Sequence, residues 1–294
     1  ESNKDVVALC ADLTGSLKLN DFADKHPGRF FQVGIAEANM IGMAAGMTIG
    51  GKIPYATTFA NFATGRVYDQ IRQSVAYSGK NVKICASHAG VTLGEDGATH
   101  QILEDIGMMK MLPGMTVINT CDYNQTKAAT LAIAEHEGPV YLRFGRPKVA
   151  NFTPKDQKFE IGKAVQLTEG TDVTIVSFGK IIKEAYAAAD ELEKEGISCE
   201  IIDLRTVRPM DHKTILDSVK KTNRLVILEE AWPFGNVATE ITYQVQSQAF
   251  DYLDAPIIKI NTADTPAPYS PVLLKEWLPN SGDVVKAVKK VLYK

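Results

Sequence analysis

Short apolar runs alternate with longer segments of helical period along this 294-residue chain. Val6 to Cys10, Ile53 to Thr57, Val82 to Ser87, Met115 to Asn119 and Val140 to Arg143 are apolar runs bounded by turn residues. That is the pattern of strands buried on both faces. Helical patterns at Glu37 to Gly50, Gly65 to Tyr77, Gln101 to Met111 and Asn124 to His136 fall between them. Such alternation predicts an open, mostly parallel α/β sheet with helices on both faces. Arg146 to Glu160 is polar, carries two prolines and has little periodicity, as a linker would. The pattern then resumes. Val173 to Ser177, Cys199 to Leu204, Leu225 to Leu228 and Pro256 to Ile260 read as strands, and Val284 to Leu292 as a closing helix. The chain is therefore expected to form two α/β domains, residues 1–150 and a smaller one over 160–294.

Composition narrows the partners. A hydrophobic fraction of 45% and a charged fraction of 23% suit a soluble globular protein with two cores. A net charge of -3 supplies no electrostatic reason to bind nucleic acid or a membrane surface. Cys10, Cys85, Cys121 and Cys199 have no metal or redox spacing and read as buried thiols of a reducing compartment. No apolar run approaches the roughly 18 residues of a membrane span, and no signal-peptide pattern opens the sequence. A cytoplasmic location is expected. Glu1 is not a native start, so a preceding piece is expected to be missing.

Open α/β sheets bind ligands beyond the C-terminal ends of their strands, and the polar residues of the first domain collect there. Asp12, Thr14 and Ser16 follow the first strand. Glu37 follows Phe30 to Val33 and opens a Gly- and Ala-rich helix. A first-turn carboxylate complements the helix dipole. At the head of so apolar a segment it should also be half buried, and burial penalises the charged form, which suits a group that holds or passes a proton. Thr58, Phe59, Asn61 and Phe62 follow the Ile53 strand, and His88 follows the Val82 strand. His88 leads into a Gly-rich loop that runs through Gly94-Glu95-Asp96-Gly97 to Thr99-His100-Gln101. Two histidines and Asp96 around one loop, on the same edge as Glu37 and two aromatics, point to a site. The loop is not a P-loop, since no Gly-Lys-Ser/Thr follows. His88 and His100 lack zincin spacing, and no Gly-x-Ser-x-Gly is present.

The first 150 positions resemble the pyrimidine-binding domain of transketolase, in the version split into two chains. The resemblance is carried by Ala11-Asp12-Leu13-Thr14-Gly15-Ser16, Gly34-Ile35-Ala36-Glu37-Ala38-Asn39, Thr58-Phe59-Ala60-Asn61-Phe62, the His88 to Gln101 loop and Gly145-Arg146-Pro147. It implies thiamine diphosphate as cofactor. Glu37 would hydrogen-bond the aminopyrimidine ring and start the proton relay, with Phe59 and Phe62 stacking on or enclosing that ring and Asp12 nearby. His88, Asp96 and His100 would meet sugar hydroxyls, with His100 also placed for proton transfer. Ser16 and Arg146 would meet the substrate phosphate, with Arg143 as a competitor. Relatives carry a third aromatic where this chain has Gly65, so the aromatic pocket is expected to be smaller or completed from elsewhere.

Family members hold Mg²⁺ and the diphosphate through Gly-Asp-Gly followed further on by Asn. No Gly-Asp-Gly occurs here. The resemblance therefore implies half of each active site, with Mg²⁺ held by a partner chain, an N-terminal transketolase subunit, in a heterotetramer of two of each. Gly42, Gly46 and Gly50 share a helix face. They permit either close approach at such an interface or packing within the domain.

The second domain resembles the C-terminal domain of the pyruvate dehydrogenase E1 β subunit, through Thr206-Val207-Arg208-Pro209, Glu229-Glu230-Ala231-Trp232-Pro233-Phe234-Gly235, Phe250 to Pro256 and Ala263 to Pro271. A chimera of the two families is one expectation. Because the candidate chemistry sits in the first domain, the activity implied is transfer of a two-carbon ketol unit between sugar phosphates. An E1 β subunit and a non-catalytic partner-binding module are the alternatives.

Overall fold

The computed structural model describes residues 2–294 and divides into two compact units. The first holds residues 2–118 and 123–159, and the second 119–122 and 160–294.

In the first unit six strands are ordered β5-β6-β4-β3-β1-β2: β1 (Val6–Cys10), β2 (Phe30–Gln32), β3 (Ile53–Phe59), β4 (Lys83–Ser87), β5 (Thr116–Asn119) and β6 (Val140–Arg143). The pairings β2 to β1, β1 to β3, β3 to β4 and β4 to β6 are all parallel. β4, β5 and β6 are buried along their whole length, which is why the sequence reads there as continuous apolar runs rather than alternating ones. The sheet core includes Leu9, Ile84, Val117, Ile118 and Leu142. From β1 the chain adds β2 on one side and then β3 and β4 on the other, so the strand order reverses between β1 and β3. That is where an open α/β sheet presents a crevice.

Three local differences from the sequence reading matter. β3 continues through Thr58 and Phe59, which therefore end the strand instead of following it. Both face a buried environment, where β-branched and aromatic residues extend a strand. The Gly65–Tyr77 helix is broken into a 3-10 turn (Gly65–Val67), a short α-helix (Tyr68–Gln70) and a π-helix (Ile71–Tyr77). The helix expected from Gln101 begins only at Asp105.

The second unit carries the sheet β12-β11-β8-β9-β7: β7 (Val165–Thr168), β8 (Val173–Ser177), β9 (Cys199–Asp203), β11 (Leu225–Leu228) and β12 (Ile258–Ile260). A three-residue strand β10 (Thr206–Arg208) lies outside it. Four of the strands are parallel neighbours, and β7 joins β9 antiparallel. β7 was not legible in sequence because, as an edge strand, it is only partly buried. Residues 146–160 hold no helix or strand. Both units are thus mostly parallel α/β sheets.

Candidate active site

The β3–β4 register sets the centre of the site. Phe59 pairs with Ser87, so His88, the first residue past β4, comes beside the Phe59 ring. The two rings stack at 3.8 Å between centroids with an interplanar angle of 21°. The chain turns sharply at His88, whose φ is +56°, a left-handed conformation uncommon for a non-glycine residue. The Ser87 hydroxyl, 2.7 Å from Nδ1, fixes the ring. Burial and the Arg146 charge hold the His88 imidazole down to about 4, with His100 adding to the effect and Asp96 opposing it. His88 is therefore neutral near pH 7, able to donate from one ring nitrogen and accept at the other.

Phe62, three residues past Phe59 on the short helix Ala60–Thr64, stacks on Phe59 at 5.8 Å. His100 reaches the same two rings from the other end of the Gly-rich loop, edge-on to Phe62 at 5.0 Å and tilted to Phe59 at 6.1 Å. Two hydrogen bonds hold it there. Asn61 Nδ2 donates to the Thr99 carbonyl at 2.6 Å, and the Thr99 hydroxyl lies 2.8 Å from His100 Nδ1. The loop between the histidines is tied by the Gln101 side chain, which donates to the Val91 carbonyl, and by Arg146 Nη1, which donates to the Leu93 carbonyl.

Glu37 is the first residue of the helix Glu37–Ile49 and only 4% exposed, more deeply buried than the sequence suggested. Its carboxylate faces Arg66, whose Nη1 lies 3.4 Å from Oε2. The Arg66 guanidinium also covers the Phe62 ring at 4.0 Å. Arg66 escaped the sequence reading, although its i, i+4 spacing from Phe62 was a usable signal. Arg66 and His100 both lie against the Phe62 ring, on the stretch where Gly65 supplies no third ring.

One contiguous cluster thus contains Glu37, Arg66, Phe62, Phe59, His100 and His88, with Asp96 and Arg146 acting electrostatically on His88. Asp12 and Ser16 are exposed on the loop after β1, at the same sheet edge. The Asp12 N–H donates to Gln32 Oε1 at 2.6 Å. Among the described residues, no hydrogen bond joins the side chain of Asp12 or Ser16 to the cluster. Arg143 is buried, and its Nε donates to Asp105 Oδ2 at 2.7 Å. Arg146, by contrast, is exposed at the loop.

The arrangement suits a flat, nitrogen-bearing aromatic ring: a buried carboxylate to accept from it, stacked phenyl rings to cover it, and neutral imidazole next to them. Among the described residues no group of three or more His, Cys, Asp or Glu side chains is placed to hold a metal ion. No helix there is long and apolar enough to cross a membrane. On the helix that Glu37 opens, Gly42 and Gly46 are exposed, and a Cβ added at either would meet nothing within 4 Å. Packing within the chain therefore does not account for these two glycines.

Residues 1–151 match the family described as transketolase, pyrimidine binding domain, and residues 162–284 the transketolase C-terminal domain. The chain is 45% identical to a putative transketolase C-terminal section of Methanocaldococcus jannaschii, over 77% of this chain and 71% of that one. It is 43% identical to a 6-deoxy-6-sulfo-D-fructose transketolase subunit of a Clostridium species, over 80% of this chain and 73% of that one. Among solved structures, a split gene transketolase in an inactive β4 tetramer is similar at a TM-score of 0.89 and 39% identity, covering 99% of this chain and 93% of that one. That likeness runs through both units, so neither fold nor family requires a join of two lineages. With a pyrimidine-binding domain that carries the Glu37 cluster and a C-terminal domain behind it in sequence, the chain belongs to the transketolase family.

Proposed function

We propose that this chain is the C-terminal subunit of a split, thiamine diphosphate-dependent transketolase, transferring a two-carbon ketol unit between sugar phosphates. The observation that carries the reading is the buried Glu37 carboxylate beside the stacked Phe59 and Phe62 rings. Thiamine diphosphate supplies the carbanion chemistry, for which the protein provides orientation and proton handling. Glu37 would accept a hydrogen bond from the aminopyrimidine ring and start the proton relay, and Phe59 and Phe62 would enclose that ring. His88 and His100 would hydrogen-bond the substrate's carbonyl and hydroxyl oxygens. His88 is neutral at working pH, so it can donate without holding a full charge. Asp96 would accept from a sugar hydroxyl. Arg146 and Ser16 would take the terminal anion, where a guanidinium favours bidentate recognition. A relative named for a sulfonated fructose fits an anion site that accepts sulfonate or phosphate. Asp12, at the same edge, is assigned to the cofactor side.

The partner reading rests on the sequence, which has no Gly-Asp-Gly, and on the exposed Gly42 and Gly46 with Ile35 and Ile49, which are 77% and 78% exposed. A partner N-terminal subunit would bring the Mg²⁺ and diphosphate contacts, in a heterotetramer of two of each. Domain limits of 1–150 and 160–294 and a cytoplasmic setting complete the proposal. The test is to mix the chain with a candidate N-terminal subunit and to follow ketol transfer from xylulose 5-phosphate to ribose 5-phosphate, with pyruvate and an electron acceptor as the comparison. Turnover of pyruvate but not of the sugar pair would replace this reading with the E1 β one. In the active complex Glu37→Gln should cost about 2 to 4 powers of ten in kcat, the weight of a general acid–base group, and a loss under threefold would displace Glu37 from the relay.

A further inference from the structure

In the free chain one side chain occupies both of the recognition elements assigned above to the aminopyrimidine ring. The Arg66 guanidinium lies 4.0 Å from the Phe62 ring centroid, and its Nη1 is 3.4 and 3.5 Å from Oε2 and Oε1 of Glu37. A guanidinium is flat and delocalised, stacks on aromatic faces, and donates N–H bonds in its own plane. An aminopyrimidine is also flat and delocalised, and once protonated at its ring nitrogen it donates an N–H bond in its own plane, so what Phe62 and Glu37 offer to one they offer to the other.

Both contacts are weak. Arg66 is 48% exposed, and the two N···O distances are long for charge-assisted hydrogen bonds. Yet without Arg66 the Glu37 carboxylate, at 4% exposure, would be a buried charge with no cation beside it, an arrangement that proteins avoid. The backbone is suited to letting Arg66 go. It sits in the 3-10 turn Gly65–Val67, where the pattern of helical hydrogen bonds changes on the way to the π-helix Ile71–Tyr77, and Gly65 before it carries no side chain to wedge.

We propose that Arg66 is a displaceable latch. It fills the pyrimidine seat of the free chain, keeps Glu37 partnered there, and swings out when the cofactor ring takes its place. The proposal rests on reading Glu37 and Phe62 as the contacts of that ring. Its consequence is competition: the ring must displace Arg66, which lowers the chain's affinity by the weight of one exposed cation–π contact and one weak ion pair, about three- to tenfold.

The experiment is an NMR titration of the full chain with thiamine, which carries the aminopyrimidine without the diphosphate assigned to the partner. The reporters are the ring-proton signals of His100 and His88, which touch Phe62 and Phe59. Arg66→Met should bind thiamine about three- to tenfold more tightly than the parent. Arg66→Lys, which keeps the charge but loses the flat face, should fall between. Equal affinities for the parent and Arg66→Met would overturn the latch. Weaker binding by Arg66→Met would also overturn it and make Arg66 a ligand of the ring. In both cases the histidine signals still move, and the pocket assignment stands. If thiamine moves neither signal in the parent or in folded Arg66→Met, the latch falls together with the pyrimidine assignment.

Discussion

Asp105→Ala should be among the most damaging single substitutions in the first unit. The Asp105 carboxylate is fully buried and accepts hydrogen bonds from the Tyr141 hydroxyl and from Arg143 Nε, each at 2.7 Å. Burial and the neighbouring Asp105 raise the Tyr141 phenol well above its ordinary value, so it stays a donor at all working pH. Alanine deletes the acceptor of both bonds and takes the carboxylate away from a guanidinium only 4% exposed. Breaking one side of a buried ion pair costs about 3 to 5 kcal/mol. At an m-value of about 2 to 3 kcal/mol/M in urea, that lowers the midpoint by about 1 to 2 M. Urea unfolding followed by far-UV circular dichroism measures it. The double variant Asp105→Leu with Arg143→Met is the control, because a buried pair exchanged for apolar residues of similar volume is often neutral or better. It should recover the share due to the stranded guanidinium, while the Tyr141 hydroxyl, left without its acceptor, keeps about 1 to 3 kcal/mol of the cost. A single-variant cost below about 1 kcal/mol, or a double variant as unstable as the two singles added together, would refute the argument that the pair's cost lies in the stranded charge.

The remaining predictions concern titration, reactivity and packing. His88 is held near 4 in the folded chain against an ordinary 6.5, so between those values the unfolded chain binds a proton that the native chain does not. Stability should therefore fall as pH drops through that window, by about 1 kcal/mol once solvent screening of this half-exposed ring is allowed for. His88→Gln should flatten this part of the pH dependence of the urea midpoint, and an unchanged slope would argue against a depressed imidazole. All four cysteines are buried, and burial pushes the Cys85 and Cys199 thiols up to about 12. A thiol reagent such as DTNB should accordingly find none in the native chain and four after denaturation; a fast native reaction would contradict the burial. Gly170 lies where an added Cβ would sit 2.2 Å from the carbonyl carbon of Cys199 and 2.3 Å from the nitrogen of Glu200. Backbone cannot yield cheaply, so Gly170→Ala should destabilise the second unit by about 2 to 4 kcal/mol, read as a lower thermal midpoint.

The sequence by itself determined the fold class and most of the candidate chemistry. β1, β6, β8 and β11 lie where their apolar runs stand, because a strand buried on both faces leaves an unbroken hydrophobic signature. Glu37, Phe59, Phe62 and His88 could be named because each is at or just past a strand end or opens a helix, and in a parallel sheet all such ends share one edge; His100 could be named from the Gly-rich loop that His88 leads into. Three things were decided only in the tertiary structure. The register of β3 against β4 carries no local signature, yet it brings His88 onto Phe59. The ion pair that holds Arg143 depended on where Asp105 would be, and Asp105 is 38 residues away from Arg143 in sequence. The Arg66 contact to Glu37 spans 29 residues and joins two helical segments. Propensity and periodicity describe neighbours along the chain, whereas the pairing of one charge with another across a sheet edge depends on how the whole sheet packs.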